Sequence, residues 1–176
     1  MRVPFIAKWP KKIPAGVTQA LPACTIDLLP TIAHWIETDL PAKKIDGKNI
    51  SNLMQAENNA KNPHEAYYFY YKRNELEGML SGDGEWKLYF PHLYISLEGR
   101  KGRADGHPIP YNYQTKTELA LYNLEKDISE TDNVLQEYPD ITSTLTALAD
   151  SMRIELGDDL QEIEGNAKRP LGKLPN

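Results

Sequence analysis

The sequence predicts an α/β organisation in two parts, a helix-bearing segment first and a small α+β domain after it. Three observations carry this expectation. Four β-rich runs follow residue 65, an Asp-Gly turn joins two of them, and a strongly periodic helical stretch lies near the end of the chain. With 176 residues, 40% of them hydrophobic, the chain can bury one domain core, or a small domain and a piece of another.

Val3 to Trp9 mixes β-formers with one proline and reads as a short strand. Pro10 to Gly16 is a Pro/Gly connection. Thr25 is the expected N-cap of a helix in which Ile26, Leu29, Ile32, Ala33 and Ile36 recur at helical spacing. Pro30 falls early enough in it to be tolerated near the first turn. The apolar face of this helix is expected to pack on a sheet that the sequence does not contain. Asp46-Gly47 marks a turn. The polar stretch Gln55 to His64 reads as a linker, dividing the chain into residues 1–55 and 56–176.

Ala66 to Tyr71 is a run of aromatic β-formers and predicts a strand. Its side chains alternate between faces, so core packing explains the tyrosines better than a sugar-stacking platform does. Glu77 to Leu80 and Glu85 to Phe90 flank Ser81-Gly82-Asp83-Gly84, a hairpin signal. Glu118 to Leu124 supplies a fourth strand. Leu93 to Thr117, punctuated by glycine and proline, reads as one long loop, a kind of segment that is usually functional or disordered. Pro139 opens a helix with an apolar stripe of Ile141, Leu145, Leu148, Met152 and Leu156. Gly157 is its natural C-cap, and Glu164 to Asn176 reads as a loose tail. A four-stranded antiparallel sheet with this helix across one face buries both apolar surfaces.

The net charge of -5 and the absence of a Lys/Arg cluster argue against nucleic acid and against an anionic membrane as partners. No apolar run is long enough to span a bilayer. Cys24 is the one cysteine, so no intrachain disulfide forms. The first residues do not form a signal peptide, which at face value predicts a cytoplasmic chain.

Several motifs occur in a telling order. They are Arg2-Val3-Pro4-Phe5 with Trp9-Pro10, Ile26-Asp27-Leu28-Leu29-Pro30-Thr31, Asp46-Gly47, Trp86-Lys87-Leu88 and the run from Leu121 to Asn133. Together they resemble the late part of the sulfatase family, and the likeness covers most of the chain. The resemblance implies a partial alkaline-phosphatase-like fold. Residues 1–55 would be the tail of the large catalytic α/β domain, and 56–176 the small C-terminal domain. It implies an arylsulfatase-type sulfuric ester hydrolase. Such an enzyme uses a formylglycine matured from Cys or Ser in a C/S-x-P/A-x-R motif. A Ca²⁺ held by Asp and Asn oxygens orients the sulfate, and Lys and His residues support the leaving group.

Those parts are missing here. Cys24 is followed by Ile26 and Leu28 where the motif needs Pro or Ala and then Arg. No paired Asp cluster offers a calcium site. The family's catalytic Lys would lie before Met1, which makes Met1 an internal position or the gene truncated. The chain alone is therefore expected to be inactive, its partner being the missing N-terminal sulfatase half. The complete enzyme is expected in the periplasm or outside the cell.

The candidate substrate-binding residues are His92, Arg100, Lys101, Arg103 and His107, all on or beside the long loop. Guanidinium and ammonium groups there suit a sulfated small molecule or glycan, and His92 is placed to hydrogen-bond its sugar or aryl group. The plain alternative is a solvated loop with an exposed histidine. His34 reads as a surface or packing residue and His64 as a solvated linker residue. Asp127, Glu130 and Asp132 have metal-like spacing, but the glycine and the bidentate Glu of an EF-hand are absent, so they read as a solvated turn. Two rival readings remain: a standalone non-catalytic module that binds sulfated glycan or complements a separate N-terminal half, and an independent hydrolase using His92, Asp105 and His107. Nothing in the spacing favours the latter.

Overall fold

The structure is a computed structural model that describes residues 3–103 and 105–169. They form two compact units. One runs to Tyr67 and includes Ser81–Gly84; the other comprises Tyr68–Leu80 and the described residues from Glu85 onward.

In the first unit a 3₁₀ turn, Thr25–Asp27, leads into helix α1, Leu28–Trp35, and a short helix α2 spans Ser51–Met54. The helix thus starts later than Thr25 would place it, with Asp27 at its N-cap position. Pro30 sits in the first turn, where a missing N–H costs no internal bond. Val3 to Trp9 is not a strand. A strand needs a neighbour to take its backbone hydrogen bonds, and no described segment pairs with it; Val3, Phe5 and Ile6 are exposed. Helix α1 buries the side that carries Asp27, Thr31 and Ala33. Its apolar stripe points outward, with Ile26, Leu29, Ile32 and Ile36 exposed by 49%, 53%, 50% and 62%. The Asp46-Gly47 turn closes against the start of this helix. A Cβ on Gly47 would meet the Ile26 carbonyl oxygen at 2.0 Å, so only glycine fits.

The second unit is built on a four-stranded sheet ordered β1-β2-β3-β6. Its strands are β1 (Ala66–Tyr71), β2 (Glu75–Ser81), β3 (Trp86–Tyr89) and β6 (Ala120–Asn123). Strand β2 pairs antiparallel with β3, and β3 with β6. The register sets Met79 opposite Leu88 and Leu88 opposite Leu121, and all three side chains are fully buried. Helix α3, Pro139–Leu156, buries Leu145 and Ala149. It is tied to β1 by Tyr68 and Tyr70, whose hydroxyls donate to the carbonyls of Leu148 and Gly157. Trp86 packs on Tyr138 just before α3 at 4.7 Å between ring centroids. Gly157 ends the helix with φ +85°.

Two short pairings complete the unit. The segment Leu93 to Thr117 is not one long loop: β4 (His92–Ser96) and β5 (Asn112–Thr117) form a separate two-stranded hairpin. Its strands pair only with each other and stay largely exposed, so neither carries the apolar alternation by which half-buried strands are recognised. Strands β7 (Gly157–Asp158) and β8 (Ile163–Glu164) pair after α3, so the expected tail begins in a strand; residues 170–176 of that tail lie outside the described residues.

Candidate functional site

The hairpin carries the predicted residues, but not all in one place. Arg100, Lys101, Arg103 and His107 lie in the exposed tip between Ser96 and Asn112. Glu98 and Asn112 bond to each other across the neck of the tip. Arg100 curls back, its Nε donating to the Leu97 carbonyl at 3.0 Å and its Nη2 lying 3.9 Å from Glu98. The His107 N–H donates to Asp105 Oδ1 at 3.1 Å. The tip is thus a cationic, solvent-facing loop on a two-stranded stalk.

His92 is elsewhere. It is the first residue of β4, paired with Thr117 at the base of the stalk, and only 7% exposed. It neither closes a strand nor opens a loop. Its Nδ1 lies 2.7 Å from the Phe90 carbonyl and its Nε2 3.5 Å from Glu77 Oε2. His92, Asp105 and His107 are therefore split between base and tip, which removes the geometry that a hydrolase built on those three would need.

Three polar clusters have no signal in the sequence pattern. The first centres on Asp27, whose carboxylate is fully buried. It accepts from the Lys48 N–H at 2.9 Å, the Cys24 N–H at 3.0 Å and His64 Nε2 at 2.7 Å. His64 is thus not a solvated linker residue: a buried carboxylate must be matched by donors, and His64 supplies one. Asn62 ties the same region together, its Nδ2 donating to the carbonyls of Pro22 and Gly82. Burial pushes the Tyr67 phenol up and outweighs the Asn62 hydrogen bond, which lowers it; the nearby Asp27 and Cys24 add to the rise. These bonds brace backbone.

The second cluster lies on the sheet. Lys87 Nζ is 2.7 Å from Glu130 Oε1, and the Tyr89 hydroxyl donates to Glu130 Oε2 at 2.9 Å. The ammonium also lies 4.6 Å from the centre of the Tyr89 ring. Burial alone would lower the lysine's pKa, but the hydrogen bonds to Glu130 and Tyr89 outweigh it and the net shift is upward. A lysine held protonated in this way is neither a nucleophile nor a general base at neutral pH. In the third cluster Arg153 Nε donates to the fully buried Asp158 at 2.9 Å, and its guanidinium lies 4.3 Å from the Phe90 ring centre.

The acidic turn is solvated only in part: Glu130 leaves it to pair with Lys87 and Tyr89, while Asp127 caps the turn itself. Asp127 accepts from the N–H groups of Thr131 and Asp132 at 2.6 and 2.8 Å, which holds its carboxyl below the usual range. Among the described residues no group of three or more His, Cys, Asp and Glu side chains converges as a metal site. Cys24 is a half-buried free thiol. A hollow of about 440 Å³ in the first unit is lined by Pro30, Ala33, His34 and Lys48, and none of the expected substrate-binding residues reaches it.

The comparison with known proteins decides the ancestry. Residues 1–81 match the family model described as N-sulphoglucosamine sulphohydrolase, C-terminal. Over 143 residues the chain is 30% identical to a sulfatase of Formosa agariphila, covering 79% of this chain and 24% of that protein.

The chain belongs to the sulfatase family.

Its match is to the C-terminal portion of those enzymes. Human arylsulfatase A is 30% identical over 142 residues, covering 77% of this chain and 26% of that protein. An N-acetylgalactosamine-6-O-sulfatase of Bacteroides thetaiotaomicron is 26% identical over 161 residues, covering 86% and 27% respectively. This sulfatase chain thus spans about a quarter of the length of the curated relatives it matches. Its fold is similar to that of BT4656 in complex with its substrate D-glucosamine-2-N,6-O-disulfate, with TM-score 0.52 and 18% identity over 83% of this chain and 27% of that one.

Proposed function

We propose that this chain is the C-terminal part of a sulfuric ester hydrolase of arylsulfatase type. On this reading it supplies the tail of the catalytic domain and the small domain, and its cationic hairpin faces the sulfated substrate. The observation that carries the reading is the hairpin tip. Arg100, Lys101 and Arg103 crowd an exposed loop of a chain whose net charge is -5. Guanidinium and ammonium groups match the charge and oxygen geometry of a sulfate ester. The outward apolar stripe of α1 supports the same reading, because a continuous exposed apolar face of that kind marks a surface meant to be covered. The substrate class is a sulfated sugar or aryl sulfate. The nucleophile, the metal ligands and the catalytic lysine come from the N-terminal half, so the chain by itself does not turn over substrate.

The test is Arg100→Ala with Arg103→Ala in the complete enzyme. Exposed charge pairs are each worth roughly 0.2–1 kcal/mol, so KM for a sulfated substrate should rise about 1.4- to fivefold per residue, with kcat little changed. An unchanged KM sinks the substrate-facing role. A second reading keeps the exposed cationic tip but drops catalysis, making the chain a module that binds sulfated glycan. Retention of the isolated chain on immobilised heparin, lost in the double variant, would favour it.

A further inference from the structure

Tyr68, Tyr70 and Tyr89 of the four-stranded sheet are tied down by their hydroxyls, which donate to Leu148, Gly157 and Glu130. The tyrosines of the β4–β5 hairpin are not. Tyr94, Tyr111 and Tyr113 are 42%, 52% and 58% exposed, and no described residue takes a hydrogen bond from their hydroxyls. The register gathers them. Tyr94 of β4 pairs with Thr115 of β5, so these two side chains share a face of the hairpin. Tyr113, two residues before Thr115 on the same strand, lies on that face as well. Tyr111 continues the alternation, and its ring meets the Tyr113 ring edge-on, with 6.3 Å between centroids and 75° between planes.

Hairpin packing does not account for these rings. Tyr94 faces only a threonine across the ladder, and more than half of Tyr111 and of Tyr113 stays open. A cluster of exposed aromatic rings on one face marks a contact surface. The charge beside it says what kind. Between Ser96 and Tyr111, Arg100, Lys101 and Arg103 stand against Glu98 and Asp105, an excess of positive charge in a chain of net -5. A sugar ring fits such a surface. Its faces carry C–H bonds that lie against aromatic rings, its hydroxyls meet free tyrosine hydroxyls, and its sulfates pair with guanidinium and ammonium groups. The four residues from Thr115 back to Tyr111 span roughly 13 Å of strand, more than one aryl group covers and enough for linked sugars.

We propose that Tyr94, Tyr111 and Tyr113 form an aromatic subsite for a sugar unit of a sulfated oligosaccharide whose sulfates meet Arg100, Lys101 and Arg103. The hairpin thereby favours a sulfated glycan over a small aryl sulfate. The subsite rests on the reading of the cationic tip given above, and adds to it contacts that charge alone does not supply.

The experiment uses the full chain at low ionic strength, where exposed charges are least screened. Two probes are titrated calorimetrically: a heparin hexasaccharide, and a linear polyphosphate of similar charge that has no sugar ring. Tyr111→Ala with Tyr113→Ala should weaken hexasaccharide binding about three- to tenfold per ring, the worth of one stacking contact, and leave polyphosphate binding unchanged. Tyr111→Phe with Tyr113→Phe keeps the rings and should retain most of the affinity. Arg100→Ala with Arg103→Ala should weaken both probes. In aromatic ¹H–¹³C spectra of the wild-type chain, the Tyr94, Tyr111 and Tyr113 ring signals should move with the hexasaccharide and not with polyphosphate. Amide exchange along β4 and β5 shows whether the alanine variant keeps its hairpin; if it does not, the wild-type ring signals decide the matter. Unmoved ring signals overturn the subsite, as does equal loss of both probes in a folded alanine variant. Binding that depends on the arginines and not on the tyrosines sinks the subsite and leaves the cationic tip standing. The reverse sinks the tip's role and leaves the subsite. A wild-type chain that does not bind the hexasaccharide overturns both.

Discussion

Replacing Asp27 should break the first unit. The carboxylate is fully buried and serves three donors: the backbone N–H groups of Cys24 and Lys48 and the Nε2 of His64. Asp27→Ala strands all three. A buried donor left without a partner costs about 1–3 kcal/mol. Taking the lower part of that range for the two half-buried amides, the loss should come to roughly 3–5 kcal/mol. That is a large part of the ~5–15 kcal/mol by which domains are stable. Asp27→Asn keeps one acceptor oxygen and the shape, and should lose about 1–3 kcal/mol. His64→Ala leaves both amides satisfied and should cost about 1–2 kcal/mol. Urea unfolding followed by tryptophan fluorescence reads this unit directly, because Trp9 and Trp35 pack edge-to-face in it at 4.9 Å between ring centroids. The predicted order of loss is Asp27→Ala, then Asp27→Asn, then His64→Ala. If Asp27→Ala stays within about 0.5 kcal/mol of the parent, the usual scatter for a surface change, the bracing role is wrong.

Other expectations concern the second unit and the hairpin. Arg153→Ala leaves the buried Asp158 without its guanidinium; a cost of about 3–5 kcal/mol should appear as a lower urea midpoint, and a change under 1 kcal/mol would deny the pair its role. Alkaline unfolding should be pronounced. Burial, and then the Asp158 carboxylate, push the Tyr70 phenol up to about 12, and Tyr89 and Lys87 are raised as well. Groups raised in the fold stabilise it below their unfolded values and lose that effect as pH climbs. Stability should therefore fall between about pH 10 and pH 12, and phenolate absorbance should show Tyr70→Phe removing the latest-titrating step. Loss of stability complete well below pH 10 would contradict this. The Arg100 and Arg103 variants carry the prediction for KM already given.

The sheet was legible because its strands carry their own signals. Tyr67 to Tyr71 and Trp86 to Tyr89 are rich in β-formers, and the Asp83-Gly84 turn fixes how β2 meets β3. Helix α3 was legible from its stripe and from Gly157 at its end. The hairpin was not, since β5 reads Asn-Tyr-Gln-Thr-Lys-Thr, polar at most positions and buried at none. Its strands are specified by pairing with each other, and that contact is nonlocal. His64 and His92 were misjudged for the same reason. A histidine between polar or loop-forming neighbours looks solvated, yet Asp27 and Glu77, distant in sequence, draw each one in. The helix at Leu28 to Trp35 shows the opposite case. Its spacing was read correctly, while the side it buries here is the polar one, held by Asp27 and by Thr31, whose hydroxyl accepts the Ile50 N–H at 2.9 Å. The tip charges were visible as residues, and their common exposure emerged only with the fold.

The central claim is that this chain is one part of a sulfate ester hydrolase whose reacting groups lie in another part. The most direct measurement is hydrolysis of an aryl sulfate by the chain alone, and by the chain joined to an N-terminal sulfatase half that bears the formylglycine motif. No turnover alone, and turnover once joined, is the predicted result. Hydrolysis by the isolated chain that persists through metal-chelation controls would contradict it.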